Sequence, residues 1–198
     1  MDLFSDGKPE PDLPPGADFY PNFLDKDQAD FLFEHLINHV PWNQEEINFM
    51  GNIHPVPRLT YWYSKENKEY VYSGIKVLPV PYTKVIQRLS DRVEEKSGYK
   101  FNSVLLNQYR DGNDSNGWHA DNEKELGKNP PIASVSFGSD RFFHLKHREK
   151  KELRFKILLK SGSLFFMEGE TQTHWLHQIA KTSQPVGTRI NLTFRRII

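Results

Sequence analysis

Trp118-His119-Ala120-Asp121 sets an imidazole and a carboxylate two residues apart. In extended chain the side chains at i and i+2 leave on the same side, so His119 and Asp121 can take adjacent positions on one ion. A third ligand must come from elsewhere, and Thr173-His174-Trp175-Leu176-His177 offers His174 and His177 downstream. Two histidines and one carboxylate on one face, with the remaining positions open, is the site type of non-haem iron(II) oxygenases. The open positions matter because oxygen and a co-substrate must reach the same metal. A His-x-Asp triple alone is commonplace on surface loops, so a second feature has to agree with it.

The segment Arg189-Ile190-Asn191-Leu192-Thr193-Phe194-Arg195 is that feature. As a strand it puts Arg189, Asn191, Thr193 and Arg195 on one face and Ile190, Leu192 and Phe194 on the other. An amphipathic strand with its arginines in water is the commoner arrangement. If the polar face points inward, two buried guanidinium groups need anions. A dicarboxylate supplies two, and guanidinium pairs with carboxylate in a bidentate fork. Leu105-Leu106-Asn107-Gln108-Tyr109 repeats the logic, with Asn107 and Tyr109 sharing a face.

The elements that must position these groups are legible in outline. Asp25 can cap a helix running to about His39, along which Ala29, Phe33, Leu36 and Val40 recur at helical spacing. A second helix is predicted from about Pro81 to Lys96, with Tyr82, Val85, Leu89 and Val93 on one stripe and Gly98 beyond its end. After Gly98 the hydrophobic period falls to two. Strands are predicted at Phe101–Tyr109, Ile132–Phe137, Arg141–His147, Leu153–Leu159, Ser163–Met167, His174–Ile179 and Arg189–Arg195, and earlier at Arg58–Tyr63. Leu153, Phe155, Ile157 and Leu159 alternate with Arg154, Lys156 and Lys160, which predicts one wet face. Helices followed by many short strands suggest an α+β protein on an antiparallel double sheet, as in a jelly roll.

Composition narrows the chemistry further. The 198 residues suit one domain, with 37% hydrophobic and 26% charged residues. There is no cysteine, so thiolate metal sites, disulfides and cysteine nucleophiles are excluded and any metal must be held by His, Asp or Glu. Residues 1–16, acidic and proline-rich, read as a loose leader, and 17–198 as the single domain. No apolar run is long enough to span a bilayer and no signal-peptide order is visible, which leaves an intracellular location (cytoplasm or nucleus) and no membrane partner. Lys plus Arg equals Asp plus Glu at 26 each, so attraction to nucleic acid would have to come from a local patch.

Asn107-Gln108-Tyr109, His119-Ala120-Asp121, His177, Pro131 to Gly138, Gly162-Ser163-Leu164 and the Arg189-x-Asn191-x-Thr193-x-Arg195 ending together resemble the AlkB family of 2-oxoglutarate dioxygenases, from about Phe19 to the C-terminus. The resemblance implies a double-stranded β-helix (jelly-roll) core with N-terminal helices and a nucleotide-recognition lid, here about residues 47–74. It implies iron(II), 2-oxoglutarate and oxygen as cofactor and co-substrates. Carried over by position, His119, Asp121 and His177 would bind iron, and His174 would support them from outside. Asn107, Tyr109, Arg189, Thr193 and Arg195 would hold 2-oxoglutarate, one arginine on the distal carboxylate. The implied reaction is oxidative demethylation of 1-methyladenine- and 3-methylcytosine-type bases in DNA, with release of succinate, carbon dioxide and aldehyde; the chain is separately expected to be a monomer.

A base in a duplex must be flipped to reach such a site, which costs least for a lesion that has lost its pairing. Tyr70 and Tyr72, at strand spacing, match the family's lid, and an aromatic face attracts a cationic methylated base. Glu123 is placed to contact that base, and Asn122 stands where close relatives often have Asp. Met50, Gly51 and Asn52 match a hairpin that probes the duplex, where an apolar wedge could fill the gap left by the flipped base. Lys146-His147-Arg148-Glu149-Lys150-Lys151 is the densest basic run, either a solvated hairpin tip or a phosphate grip.

Three other readings remain on sequence grounds: a sister oxygenase acting on RNA, protein or lipid, a non-enzymatic double-sheet binding module, and a metal-dependent hydrolase. The last leaves the two inward arginines without a purpose. The residue assignment predicts that His119→Ala, Asp121→Ala or His177→Ala abolishes turnover while His174→Ala leaves much of it, and the reverse ranking would move the third ligand to His174.

Overall fold

The computed structural model describes residues 12–49, 51–66, 70–72, 75–77 and 80–198. In chain order the elements are β1 (Ala17–Tyr20), α1 (Lys26–His39), β2 (Glu46–Phe49), β3 (Asn52–Pro55), β4 (Leu59–Ser64), β5 (Tyr70–Tyr72), β6 (Ile75–Val77), α2 (Lys84–Ser97), β7 (Ser103–Tyr109), β8 (Asn116–His119), β9 (Ile132–Gly138), β10 (Arg141–His147), β11 (Arg154–Leu159), β12 (Leu164–Met167), α3 (Thr171–His174), β13 (Trp175–Ile179) and β14 (Arg189–Arg195).

Both long helices start where a side chain can satisfy the free backbone N–H groups. Asp25 accepts from the Gln28 N–H at 2.8 Å and opens α1. Thr83 accepts from the Ile86 N–H at 3.2 Å, so α2 begins at Lys84 rather than at Pro81 as the sequence suggests. A threonine cap bonds an N–H that a proline start leaves unmet. Gly98, at φ 76°, ends α2 in the left-handed conformation that favours glycine.

The strands form a six-stranded sheet ordered β1-β12-β9-β14-β7-β4 and a four-stranded sheet ordered β11-β10-β13-β8, with antiparallel neighbours throughout. Two apolar layers hold this together. Ile190, Leu192 and Phe194 of β14 pack with Val104 and Leu106 of β7 against Leu36 of α1 and Ile86, Leu89 and Val93 of α2. On the opposite face, Leu105, Phe165 and Met167 meet Phe143, Leu145, Ile157, Trp175 and Ile179 of the smaller sheet. The larger sheet is therefore covered on both faces, and every residue of β14 is buried. An inward polar face on that strand follows from this layering.

Strand boundaries shift as well. The predicted strand at His174 starts at Trp175, because residues 171–174 coil into α3 and its first backbone N–H groups turn back onto Glu168 and Glu170. The stretch 116–119, not predicted as a strand, pairs with β13. Most of the expected leader, together with Met50, Ser73 and Gly74, lies outside the described residues. The expected lid region is represented by the β2–β3 and β5–β6 hairpins. No helix among the described residues is long and apolar enough to cross a membrane.

Glu94, 6% exposed, ties α2 to the sheet. Its carboxylate accepts from Lys65 Nζ at 2.8 Å, Lys100 Nζ at 2.7 Å and the Phe101 N–H at 3.2 Å. Burial raises its pKa, but these donors outweigh burial and bring it from 4.5 to about 2. A depressed carboxylate stabilises the fold above its unfolded value and loses that contribution as pH falls. Glu94→Gln is expected to lower stability by about 2 kcal/mol at neutral pH. In chemical unfolding the difference from the parent should fade between pH 4.5 and about 2; a pH-independent difference would show that packing, not charge, is responsible.

Candidate active site

The site is built on a register irregularity in the smaller sheet. His177 of β13 lies directly opposite His119 of β8, and Ile179 lies opposite Asn116, so three residues of β8 advance against two of β13. Such a bulge bends the strand and re-aims its side chains. Both Asn116 and His119 then line the inter-sheet cavity, while Trp118 stays outside. The two imidazoles meet edge to face with ring centroids 4.3 Å apart. Asp121, just past the end of β8, completes a group in which one ligand atom from each of His119, Asp121 and His177 lies within 4.8 Å of the others.

The surroundings prepare these side chains to donate electron pairs. Burial, joined by His119, drives His177 down to about 3, and burial also lowers His119. Both rings are therefore neutral at ordinary pH. His119 Nδ1 lies 2.7 Å from the Gly117 carbonyl, which can only accept, so Nδ1 carries the hydrogen. Its Nε2 is left with a lone pair, which takes an N–H from Asn116 at 3.1 Å. Burial pushes the Asp121 carboxyl up, yet Arg195, His177 and His119 hold it below the usual carboxylate range. Arg195 Nη2 donates to Asp121 Oδ1 at 2.6 Å, and both side chains are almost fully buried. The Asp121 backbone N–H donates to Gln172 Oε1 at 2.9 Å, which fixes the carboxylate from behind.

The polar face of β14 lines the same cavity through Arg189, Asn191, Thr193 and Arg195, and β7 contributes Asn107 and Tyr109. Arg195 sits at the metal-ligand end. Arg189, six residues back along β14, lies over the Tyr109 ring at 5.3 Å and donates to Ser136 Oγ at 2.9 Å. It is 1% exposed, and its Nε and Nη1 have no partner. Burial lowers its pKa to about 10, which still leaves it cationic near neutrality. A buried cation with idle donors is costly unless an anion joins it. Asn107 Oδ1 accepts from Arg58 Nε at 2.8 Å, which leaves its amide N–H groups for a ligand. Thr193 differs from expectation in one respect. Its hydroxyl donates to Asn191 Oδ1 at 3.0 Å, a hydrogen that has to turn to reach an anionic ligand. The donor set of two neutral imidazoles and one carboxylate fits iron(II), and Arg189 fits a carboxylate, so the residues present suit iron and 2-oxoglutarate.

His174 is not in the metal group; it closes α3, lies 3.3 Å from Glu170 and stacks on His147 at 5.7 Å. Of the residues expected to meet a substrate, Gly51, Asn52, Asn122 and Glu123 do not line the inter-sheet cavity, and Met50 lies outside the described residues. Gly51 and Asn52 are exposed at the tip of the β2–β3 hairpin, Gly51 at φ 81°. The β5 backbone carries Tyr70 and Tyr72, whose side chains lie outside the described part. Asn122 is exposed. Glu123 is half-buried with Oε2 lacking a partner, and burial raises its pKa, partly opposed by Arg195. Sequence reasoning missed Arg58, Asn116 and Ser136, which act through the side chains they touch, and Gln172, which acts through the Asp121 backbone N–H. Only Ser136 carried a signal, since it shares a face with Ser134 on the strand register opposite Arg189 to Thr193.

Comparison with known proteins agrees with this geometry. A family model described as the 2OG-Fe(II) oxygenase superfamily matches residues 16–195. The chain is 41% identical over 187 residues to the rat protein named alpha-ketoglutarate-dependent dioxygenase alkB homolog 3, covering 90% of this chain and 63% of that protein. It therefore spans just under two thirds of that relative's length. It is 36% identical over 189 residues to the mouse protein named DNA oxidative demethylase ALKBH2, covering 90% of this chain and 79% of that one. A solved structure titled "The structure of OsALKBH1" shares the fold, with a TM-score of 0.58 at 18% identity over 93% of this chain and 99% of that one.

The Gln172 contact yields a direct expectation. Gln172→Leu should keep the fold but weaken iron(II) affinity about tenfold or more, the usual effect of removing a partner that orients a ligand. Metal titration followed by the ligand-field spectrum checks it, and an unchanged affinity would show that Asp121 needs no such support.

Proposed function

The chain belongs to the 2OG-Fe(II) oxygenase superfamily and within it to the AlkB family, and from that membership we propose that it removes methyl groups oxidatively from 1-methyladenine- and 3-methylcytosine-type bases in DNA. The single observation that carries the enzymatic reading is the pairing of ends in one cavity. A His-Asp-His group lies at one end, and a buried arginine with two idle donors lies at the other. A binding module needs neither, and a metal hydrolase needs only the first. DNA as substrate is supported by the likeness to the mouse DNA oxidative demethylase ALKBH2. We also read the protein as an intracellular monomer.

In this reading His119, Asp121 and His177 hold iron(II), while Asn107, Tyr109, Thr193, Arg189 and Arg195 hold 2-oxoglutarate. When bound, these groups with oxygen supply the oxidising power that hydroxylates an N-alkyl carbon, after which the adduct separates into repaired base and aldehyde, with succinate and carbon dioxide as co-products. The chain contributes binding, orientation and dryness. Arg189 is the partner of the carboxylate remote from the metal, because Arg195 is already engaged with Asp121. Arg195 keeps Asp121 anionic and aligned. The apolar wall of Leu105, Phe143 and Ile179 limits water near the reacting atoms. Tyr70, Tyr72, Glu123 and Asn122 are proposed to receive the flipped base, and Met50, Gly51 and Asn52 to engage the duplex.

Purified protein supplied with iron(II), ascorbate and 2-oxoglutarate should release succinate in step with methyl loss from single-stranded DNA carrying 1-methyladenine or 3-methylcytosine. Succinate without methyl loss from DNA would redirect the search to RNA or protein. An iron-loaded protein that forms no succinate would remove the oxygenase reading. Arg189→Ala should raise the 2-oxoglutarate KM by at least about tenfold, as expected for loss of a charge-assisted contact.

A further inference from the structure

The outer face of the four-stranded sheet takes no part in the cavity. Its outward positions are Arg154, Lys156 and Leu158 on β11, Phe142, His144 and Lys146 on β10, Leu176 and Gln178 on β13, and Trp118 on β8. In a chain with 26 acidic residues, none falls anywhere in these four strands. Arg154, Lys156 and Lys146 therefore meet no carboxylate from their own sheet. Burial lowers the His144 pKa, and Lys156, directly opposite in register, lowers it further. The outward positions of these strands thus carry three cations and no carboxylate, although the protein as a whole is neutral.

Two large aromatic rings stand on this face where a solvated sheet ordinarily carries polar groups. Phe142 is 45% and Trp118 is 38% exposed. Each has an ammonium group over it, Lys156 Nζ at 3.8 Å from the Phe142 centroid and Lys146 Nζ at 4.3 Å from that of Trp118. The rings are separated laterally by two strand spacings, about 10 Å. Rings interleaved with cations suit a polymer that alternates flat bases and phosphates. A single-stranded polynucleotide gains stacking on the rings, and each displaced ammonium finds a phosphate. Trp118 adjoins His119, whose imidazole lines the cavity, so the path leads from the metal group outward.

We propose that the outer face of the β11-β10-β13-β8 sheet, through Phe142, Trp118, Lys146 and Lys156, binds the single-stranded segment flanking the nucleotide held in the cavity. The inference rests on the nucleic-acid reading above and adds to it a second, sequence-independent contact. It means that substrate length contributes to affinity and not to the chemical step. A charged peptide would not use the rings in this way, and a duplex would bury its bases away from them.

Binding of an unmodified, fluorescently labelled single-stranded DNA of about 15 nucleotides, read by anisotropy, tests the surface separately from the reaction. Phe142→Ala and Lys156→Glu are each expected to weaken binding about tenfold, and Lys156→Gln by less, with a shallower salt dependence for both lysine variants between about 50 and 200 mM salt. Where demethylation is measured, the variants should raise KM for the long strand and leave both kinetic constants for a methylated trinucleotide unchanged, which also reports an intact fold. Equal binding by parent and variants, or no binding by the parent, would overturn the surface. Normal length-independent demethylation with unaltered variants would do so while leaving the activity standing. Binding lost in the variants without any demethylation by the parent would keep the surface and remove the reaction.

Discussion

Arg189 and Arg195 lie between two sheets, where an isolated guanidinium would be severely penalised. A few specific contacts make that burial tolerable. Arg195 is matched by Asp121 at 2.6 Å, so its charge is answered within the protein, and the same contact keeps a metal-ligand carboxylate ionised. Arg189 is answered only in part, by Ser136 and the face of Tyr109. The asymmetry gives the cavity a direction, with its internal ion pair at the metal end and an unmatched positive charge at the other. Breaking a buried pair is far more damaging than never having one, which ties the integrity of the fold to the integrity of the site.

The layers impose this burial. β14 is central in the larger sheet, flanked by β9 and β7, and its apolar face supports both helices. Because side chains alternate strictly along a strand, committing Ile190, Leu192 and Phe194 to the helices commits Arg189, Asn191, Thr193 and Arg195 to the space between sheets. A slip of one residue would reverse both sets, so the hydrophobic core acts as the register lock for the polar site. The smaller sheet contributes the complementary half through one irregularity. The bulge in β8 turns both Asn116 and His119 inward and leaves Trp118 outside, joining the cavity to the exposed cationic face.

Much of this was legible in the residue string. The alternation of the last strand, the His-x-Asp spacing and the downstream histidines contained the site in a form that strand periodicity alone can decode, and Asp25 and Gly98 marked helix ends through local capping chemistry. Those features depend on neighbours a few residues away. Where a competing local preference intervened, the reading slipped: Thr83 rather than Pro81 opens α2, and α3 consumes the start of a predicted strand.

The sequence by itself determined which residue types were available to bind a metal and a dicarboxylate, and which strand faces would carry them, because side-chain alternation is a property of the local backbone. Only the tertiary structure decided that His177 rather than His174 faces His119, since that choice rests on pairing between β13 and β8. It also decided that Arg195 answers Asp121 while Arg189 keeps idle donors, because the partners lie 74 and 53 residues away along the chain. Contacts at such separations are set by sheet order and layer packing, which no local pattern encodes.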